Sequence, residues 1–317
     1  MIRALISIGT NSTRLLVLDG ARRLAAESRG TRIGQGLGTG GALAHEARER
    51  TLAAIADYVA IARERGASEI DVIATSALRR AADSEAFGAE VAQLAGIEPR
   101  ILSGGEEASF SFLGATATHS GTREIAVLDV GGGSTELAID TPEHARASGS
   151  VSRTLSCEVG AVRLSERHPA LLGAEALNEE ERLAIESAAR ADAAGVLAAY
   201  AELRAVEELI VVGGTAFTAA AMVANGMRDG TPMTRADCAG LISALLARGL
   251  EERKRLPHIR PQRADILPAG LIVTDEACRL LGVDAFTVSE SDLLLGYLTS
   301  ETFRAAALPT ASSVPGR

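Results

Sequence analysis

Three short stretches carry residue types and spacings suited to phosphate chemistry. Gly9-Thr10-Asn11-Ser12-Thr13-Arg14 and Asp129-Val130-Gly131-Gly132-Gly133-Ser134-Thr135-Glu136 are polar turns set between apolar runs, and Gly213-Gly214-Thr215 is a third. Turns built from Gly, Ser and Thr expose consecutive backbone N–H groups and hydroxyls on one side, which bind phosphate oxygens without lysine. Residues 6–15 align with residues 128–137, matching Gly9 to Gly131, Ser12 to Ser134, Thr13 to Thr135 and Leu15 to Leu137 at an offset of 122. Two such turns facing each other would grip neighbouring phosphates of one chain. A lone Gly-Gly-Gly is also an ordinary hairpin; the paired copies favour binding.

The remaining composition narrows the classes. The chain has one lysine, Lys254, between Arg253 and Arg255, so a Gly-Lys-Ser/Thr Walker loop is excluded. Its 41 acids against 32 bases give a net charge of −9, which argues against broad nucleic-acid binding. Cys157, Cys238 and Cys278 form no pairing pattern and fit a reducing cytoplasm. Five scattered histidines form no HExxH, so a zinc site is not expected. The apolar N-terminal run is too brief for a signal peptide. Residues 209–227 are uncharged but broken by Gly213-Gly214-Thr215, a strand–turn–helix pattern, so no membrane association is expected.

The elements that must position these turns alternate between strand and helix. Strands are predicted over residues 5–8, 15–19, 70–74, 124–130, 135–139 and 208–212, and helices over 44–65, after Asp83, after Ser103 and over 179–203. Asp83 is expected to cap its helix. Ser103 with Glu106, Thr234 with Asp237, and Ser289 with Asp292 have capping-box spacing. Alternation of this kind indicates an α/β fold. The repeat divides the chain near residue 122, giving domains over 1–122 and 123–317, with a tail frayed from Leu308.

Ordered along the chain, the two turns, Ala74-Thr75-Ser76-Ala77-Leu78-Arg79, Ser103-Gly104-Gly105-Glu106-Glu107-Ala108 and Gly213-Gly214-Thr215 resemble the exopolyphosphatase / guanosine pentaphosphate phosphohydrolase (Ppx/GppA) family, in its short two-domain form. The resemblance runs from about residue 2 to residue 298. It implies two actin-like (RNase H-like) domains with an interdomain cleft, the last helix crossing back onto the first domain. It also implies removal of a terminal phosphate from inorganic polyphosphate or pppGpp with Mg²⁺ or Mn²⁺. Glu107 matches the general base, Arg79 an arginine aimed at phosphate, and Asp129 with Glu136 the acids that orient the metal. Thr10, Asn11, Ser12, Arg14, Gly131, Gly132, Gly133, Ser134, Thr135, Gly213, Gly214 and Thr215 match substrate-binding positions. A homodimer is left open.

Two departures stand out. The family's first motif begins with Asp where this chain has Ser7, and the internal repeat agrees, pairing Ser7 with Asp129. A hydroxyl brings no negative charge, so metal affinity is expected to fall; the alternative is a catalytically weakened binding paralogue. Residues 289–296 also lack the Gly-Leu-Arg-Glu-Gly that usually follows Ser289. An ATP-dependent kinase shares paired hairpins but not the Ser-Gly-x-Glu-Glu motif. Arg253, Lys254, Arg255, His258, Arg260 and Arg263 form the densest basic cluster, read either as a track for long phosphate chains or as a solvated helix end.

Overall fold

The computed structural model describes residues 1–38, 41–203, 206–226 and 228–300; the tail from Leu308 lies outside them. One sheet is built from β1 (Ile2–Ile8), β2 (Thr13–Asp19), β3 (Arg22–Arg29), β4 (Glu69–Ala74) and β5 (Arg100–Ile101), in the order β3-β2-β1-β4-β5. The other uses β6 (Ile125–Val130), β7 (Thr135–Asp140), β8 (Arg153–Cys157), β9 (Leu209–Val212), β10 (Thr231–Thr234) and β11 (Ala285–Val288), ordered β8-β7-β6-β9-β11-β10. In each, three antiparallel strands are followed by a strand parallel to the first. The internal repeat is therefore a repeat of topology. It is also a repeat of register: Ser7 faces Arg14 as Asp129 faces Glu136.

Helices α1 (His45–Glu64), α2 (Ser76–Arg80), α3 (Ser84–Ala95) and α4 (Gly104–Ala115) belong to the first half of the chain. The second half contributes α5 (Pro142–Ser148), α6 (Ala161–Arg167), α7 (Glu179–Val196), α8 (Gly214–Val223), α9 (Arg235–Leu246), α10 (Leu250–Arg253), α11 (Leu267–Leu281) and α12 (Leu293–Thr299). The helix expected over 179–203 stops at Val196 and continues as a 3-10 turn over Ala198–Leu203. Among the described residues no helix is long and apolar enough to cross a membrane.

Among the described residues three large apolar cores form, with a small fourth cluster of Ala161, Val162 and Ile266. One lies between the first sheet and α1 and α3, through Ile6, Val17, Ile55, Phe87 and Val91. A second joins the other sheet to α11, through Leu128, Val211, Tyr200 and Ile272. The third fills the space between the sheets. There Leu5 and Ile73 from one sheet and Val127 and Ile210 from the other close on Phe110 and Phe112 of α4 and Leu294 and Tyr297 of α12. The last described helix, α12, packs against α4 and touches β1 and β2.

Two capping boxes form as expected, Ser103 with Glu106 and Thr234 with Asp237. Two other expectations fail. Asp83 precedes α3 without capping it, because its carboxylate accepts from Leu43 N–H (3.0 Å) and Arg48 (2.7 Å) instead. Asp292 is itself the N-cap of α12, accepting from Leu294 N–H, while Ser289 donates to Asp229 at 2.7 Å.

Glycine makes the α4–α12 crossing close enough to work. A Cβ on Gly296 would sit 1.9 Å from Phe110 O, and one on Gly114 2.0 Å from Asp292 O. Phe110 and Tyr297 then meet in a tilted arrangement, ring centroids 5.0 Å apart and planes at 57°. Forcing a methyl into a packed crossing costs about 1–3 kcal/mol. Gly296→Ala is expected to lower stability by roughly 2 kcal/mol or more, read as a drop in the urea midpoint at unchanged slope; a midpoint equal to wild type would refute the contact.

Candidate active site

Both polar turns are closed by the same hydrogen bond, Gly9 N–H to Ser12 O and Gly131 N–H to Ser134 O, each 3.0 Å. Their carbonyls are engaged from behind. Arg32 and Gly34 N–H groups take Asn11 and Thr10 O, and Ala161 and Val162 N–H groups take Gly131 and Gly132 O. The amides and hydroxyls at the turn tips are what remains to face a ligand. The tips meet: a Cβ on Gly132 would lie 3.1 Å from Thr10 Cβ and 3.3 Å from Asn11 N.

One cleft is lined by Thr10, Asn11, Ser12 and Arg14 from the first hairpin and by Gly131, Gly132, Gly133 and Ser134 from the second. Gly213, Gly214 and Thr215 close a third side, and Ser7, Glu107, Asp129 and Glu136 also line it. Thr135 is the exception among the residues assigned to substrate. It is fully buried and donates to Val159 O at 2.6 Å. The reason is strand alternation: Ser134 precedes β7, and the next side chain points to the opposite face.

The capping box separates the two glutamates of α4. Glu106 accepts from Ser103 N–H at 2.8 Å and pairs with Arg100, whereas Glu107 turns inward and is 5% exposed. Arg79 does not line the cleft; its Nη1 donates to Glu107 Oε1 and to Leu102 O (2.8 Å), and its Nη2 lies 3.9 Å from Glu136 Oε1. Hydroxyls hold the other two acids. Ser111, one turn after Glu107 on α4, donates to Asp129 Oδ2 at 2.6 Å, and Ser156 donates to Glu136 Oε1 at 2.8 Å.

Burial pushes the Glu107 carboxyl up to about 7 against the pull of Arg79, and Asp129 up to about 6, with Asp292 adding to it. Glu136 is raised by burial and then by Glu107 and Asp129. These acids crowd one dry space with too little cationic charge beside them. Arg14, which also lines the cleft, is paired with Asp292 at 2.5 Å.

Such a donor set fits a hard divalent cation. Asp129 and Glu136 offer anionic oxygens from adjacent strands, and added positive charge would relieve their mutual repulsion. No group of three metal-ligating side chains occurs among the described residues.

Spacing in the sequence did not single out Arg263. Its guanidinium lies against Gly214, where a Cβ would meet Nη1 at 2.0 Å, and its Nη2 is 3.3 Å from Ser12 Oγ. Burial lowers its pKa to about 10, with Arg14 and Arg260 contributing. Arg32 steadies this segment by a two-pronged pair with Asp265 at 2.7 and 2.9 Å. The basic cluster itself breaks up. Arg253 is wholly buried and donates to Leu245, Arg248 and Leu171 carbonyls, and Lys254 pairs with Glu251. Arg253 is thereby unavailable to a surface track, while Arg255 is exposed.

Known proteins share this sequence pattern and fold. The model of the Ppx/GppA phosphatase family matches residues 17–304. The chain is 32% identical over 323 residues to exopolyphosphatase 2 of Mycobacterium tuberculosis (strain ATCC 25618 / H37Rv), covering 94% of this chain and 97% of that protein. It is 29% identical over 311 residues to guanosine-5'-triphosphate,3'-diphosphate pyrophosphatase of Vibrio atlanticus (strain LGP32), covering 95% of this chain and 60% of that one. The crystal structure of an exopolyphosphatase-like protein matches with a TM-score of 0.83 at 27% identity, over 96% of this chain and all of the other. With two sheets of one topology, paired phosphate-type hairpins and a match across nearly its whole length, the chain is a member of the Ppx/GppA phosphatase family, hydrolases of actin-like fold.

Proposed function

We propose that the protein hydrolyses the terminal phosphoanhydride of inorganic polyphosphate, or the 5′-terminal one of pppGpp, using water activated by Glu107. The observation that carries this reading is the buried Glu107 carboxylate, directed into a cleft walled by two phosphate-type turns. Hydrolysis of this kind depends on positioning and on neutralising the oxygens of the transferred group. The water oxygen forms a new bond to phosphorus as the bridging P–O bond breaks. Its proton passes to Glu107, and the shortened chain leaves as an oxyanion. A Glu raised to about 7 is matched to taking that proton near neutral pH. Arg79 fixes the carboxylate's orientation. Asp129 and Glu136 would hold Mg²⁺ or Mn²⁺, which when bound supplies positive charge to the phosphate oxygens.

The turns cradle the phosphates by their amides, with Thr10, Asn11 and Ser12 on one side and Gly132, Gly133 and Ser134 on the other. Arg263 supplies the cation that the lysine-poor sequence otherwise lacks. On this reading the cleft lies between a first domain, residues 1–122, and a second that begins at residue 123. Three cysteines without a disulfide among the described residues suit a reducing cytoplasm.

Ser7 favours a second reading. It is buried in the cleft at the register position that Asp129 occupies in the other hairpin, so one carboxylate of a symmetric pair is missing. On that reading the protein binds polyphosphate or an alarmone and turns it over slowly.

Orthophosphate release from long-chain polyphosphate and from pppGpp, with Mg²⁺ or Mn²⁺, decides between them. Glu107→Gln is expected to cut release by about 10²–10⁴-fold with little change in KM; a loss below threefold would remove Glu107 as the base. Ser7→Asp is expected to lower the metal concentration for half-maximal rate roughly tenfold, because affinity for hard cations follows ligand charge. Release from Ser7→Asp alone would establish the binding-protein reading for wild type. Arg263→Ala should raise KM about tenfold, the size of one charge-assisted hydrogen bond; an unchanged KM would take Arg263 out of the substrate site.

A further inference from the structure

The ion pair between Arg14 and Asp292 joins residues 278 positions apart, and its two members differ in their freedom to move. Asp292 is fixed through its backbone and its side chain. Its carbonyl accepts from Gly296 N–H at 3.1 Å and lies against Gly114 of α4, where a Cβ would come within 2.0 Å. Its Oδ1 accepts from Leu294 N–H at 3.1 Å as the N-cap of α12, and its Oδ2 accepts from Arg14 Nη1 at 2.5 Å. The Asp292 side chain is 9% exposed, whereas that of Arg14 is 35% exposed and sits at the end of a long stem. Opening the pair is therefore a movement of Arg14 away from a carboxylate that stays in place.

Arg14 lines both the cleft and an adjoining cavity of about 360 Å³, while Asp292 lines that cavity and not the cleft. A guanidinium facing the phosphate turns is thus held by an anion standing beside them. Among the described residues Asp292 is the only carboxylate within ion-pair distance of Arg14. Across the strand pair Arg14 faces Ser7, which brings no charge, where the second hairpin sets Asp129 opposite Glu136. The anion beside Arg14 comes from α12 and not from its own hairpin. Its charge also reaches Arg263, whose pKa it raises against the effect of burial.

A guanidinium already bound to a carboxylate gives up that charge-assisted hydrogen bond before it donates to a phosphate oxygen. A carboxylate fixed within the same chain competes at an effective concentration set by geometry alone, whatever the amount of ligand. We infer that Asp292 is a positioning residue that acts through Arg14, holding the guanidinium as an internal competitor of the substrate's phosphate and so setting the affinity of the cleft for phosphate chains. This rests on the phosphate-binding reading given above. The shortened chain left by each cleavage is itself a phosphate anion, so the same carboxylate that opposes binding also favours release.

Calorimetric titration with tripolyphosphate, without divalent cation so that turnover does not intervene, tests the role of Asp292. Asp292→Asn is expected to tighten binding about tenfold, the exchange of one charge-assisted hydrogen bond. Asn caps a helix as well as Asp does, so this change removes the charge and keeps the start of α12. In an Arg14→Gln background the same substitution is expected to have no effect on the affinity. Equal affinity of wild type and Asp292→Asn, or no binding by either, would overturn the inference. An equal gain with and without Arg14 would overturn it too, because Asp292 would then act on the cleft by its charge alone. With polyphosphate and Mg²⁺, Asp292→Asn should lower KM by more than it alters kcat; a KM equal to that of wild type would count against it. Should Asp292→Asn not fold, Asp292→Ser, a second neutral N-cap, carries the same expectation. If wild type releases no phosphate from any substrate the hydrolase reading fails, while the calorimetric difference still decides the role of Asp292.

Discussion

Three carboxylates, Glu107 and Glu136 buried and Asp129 half-buried, share one cleft, with a single guanidinium, Arg79, bridging two of them. Burying like charges together is unfavourable, and a fold tolerates it only where packing leaves the side chains no alternative and hydrogen bonds hold them. Here both conditions are met. Glu107 is carried on α4, wedged between the two sheets, while Asp129 and Glu136 stand side by side on β6 and β7. Ser111 and Ser156 each hold one oxygen of the strand acids. The site is thus short of positive charge by construction, and a polyphosphate with its counter-cation would bring both the charge to be stabilised and the means to stabilise it.

Position of α4 is the geometric form of the same constraint. A helix covered on one face by a sheet is ordinary; α4 is covered by both sheets and by α12, and it reaches that place only through backbone contact at Gly114 and Gly296. Its first turn delivers the chemistry. The capping box anchors Ser103 and Glu106 at the helix start, so the next residue, Glu107, is set toward the cleft, and Ser111 one turn later follows it on the same face. One helix therefore carries Glu107, the proposed base, and also supports the carboxylate opposite.

Much of this was legible in the residues. The repeat between residues 6–15 and 128–137 gave the matching hairpins down to their register, because Gly, Ser and Thr at a turn are demanded by backbone geometry and survive as a pattern. The Ser103–Glu106 spacing separated the roles of two adjacent glutamates for the same reason: a cap is a local interaction. Long-range placements were not legible. Arg253 and Arg263 lie ten residues apart in one basic cluster, yet Arg253 caps carbonyls inside the second half and Arg263 enters the cleft. That outcome depends on how the segment from α10 to α11 packs. Strands β3 and β8 were also missed, since both are sheet edges, half-exposed and lacking the apolar alternation that marks a strand. Thr135 was misassigned although the alternation rule alone would have turned it away.

The two hairpins share a shape and differ in charge, and that difference organises the site. At equivalent registers one carries Ser7 facing Arg14 and the other Asp129 facing Glu136. A symmetric pair would present the same electrostatic surface to every phosphate in the cleft. The actual pair presents a hydroxyl and a guanidinium on one wall and two carboxyl groups on the other. On the proposed reading, phosphate oxygens would be drawn toward the first hairpin and a cation toward the second, which would orient a phosphate chain without any base or sugar to read. Arg263 strengthens the positive wall from outside the repeat, and Asp292 limits it by engaging Arg14. Restoring symmetry with a carboxylate at position 7 would strengthen the metal side at the expense of the phosphate side. Ser7 thus moves the balance of the cleft from cation toward anion, by the removal of one charge.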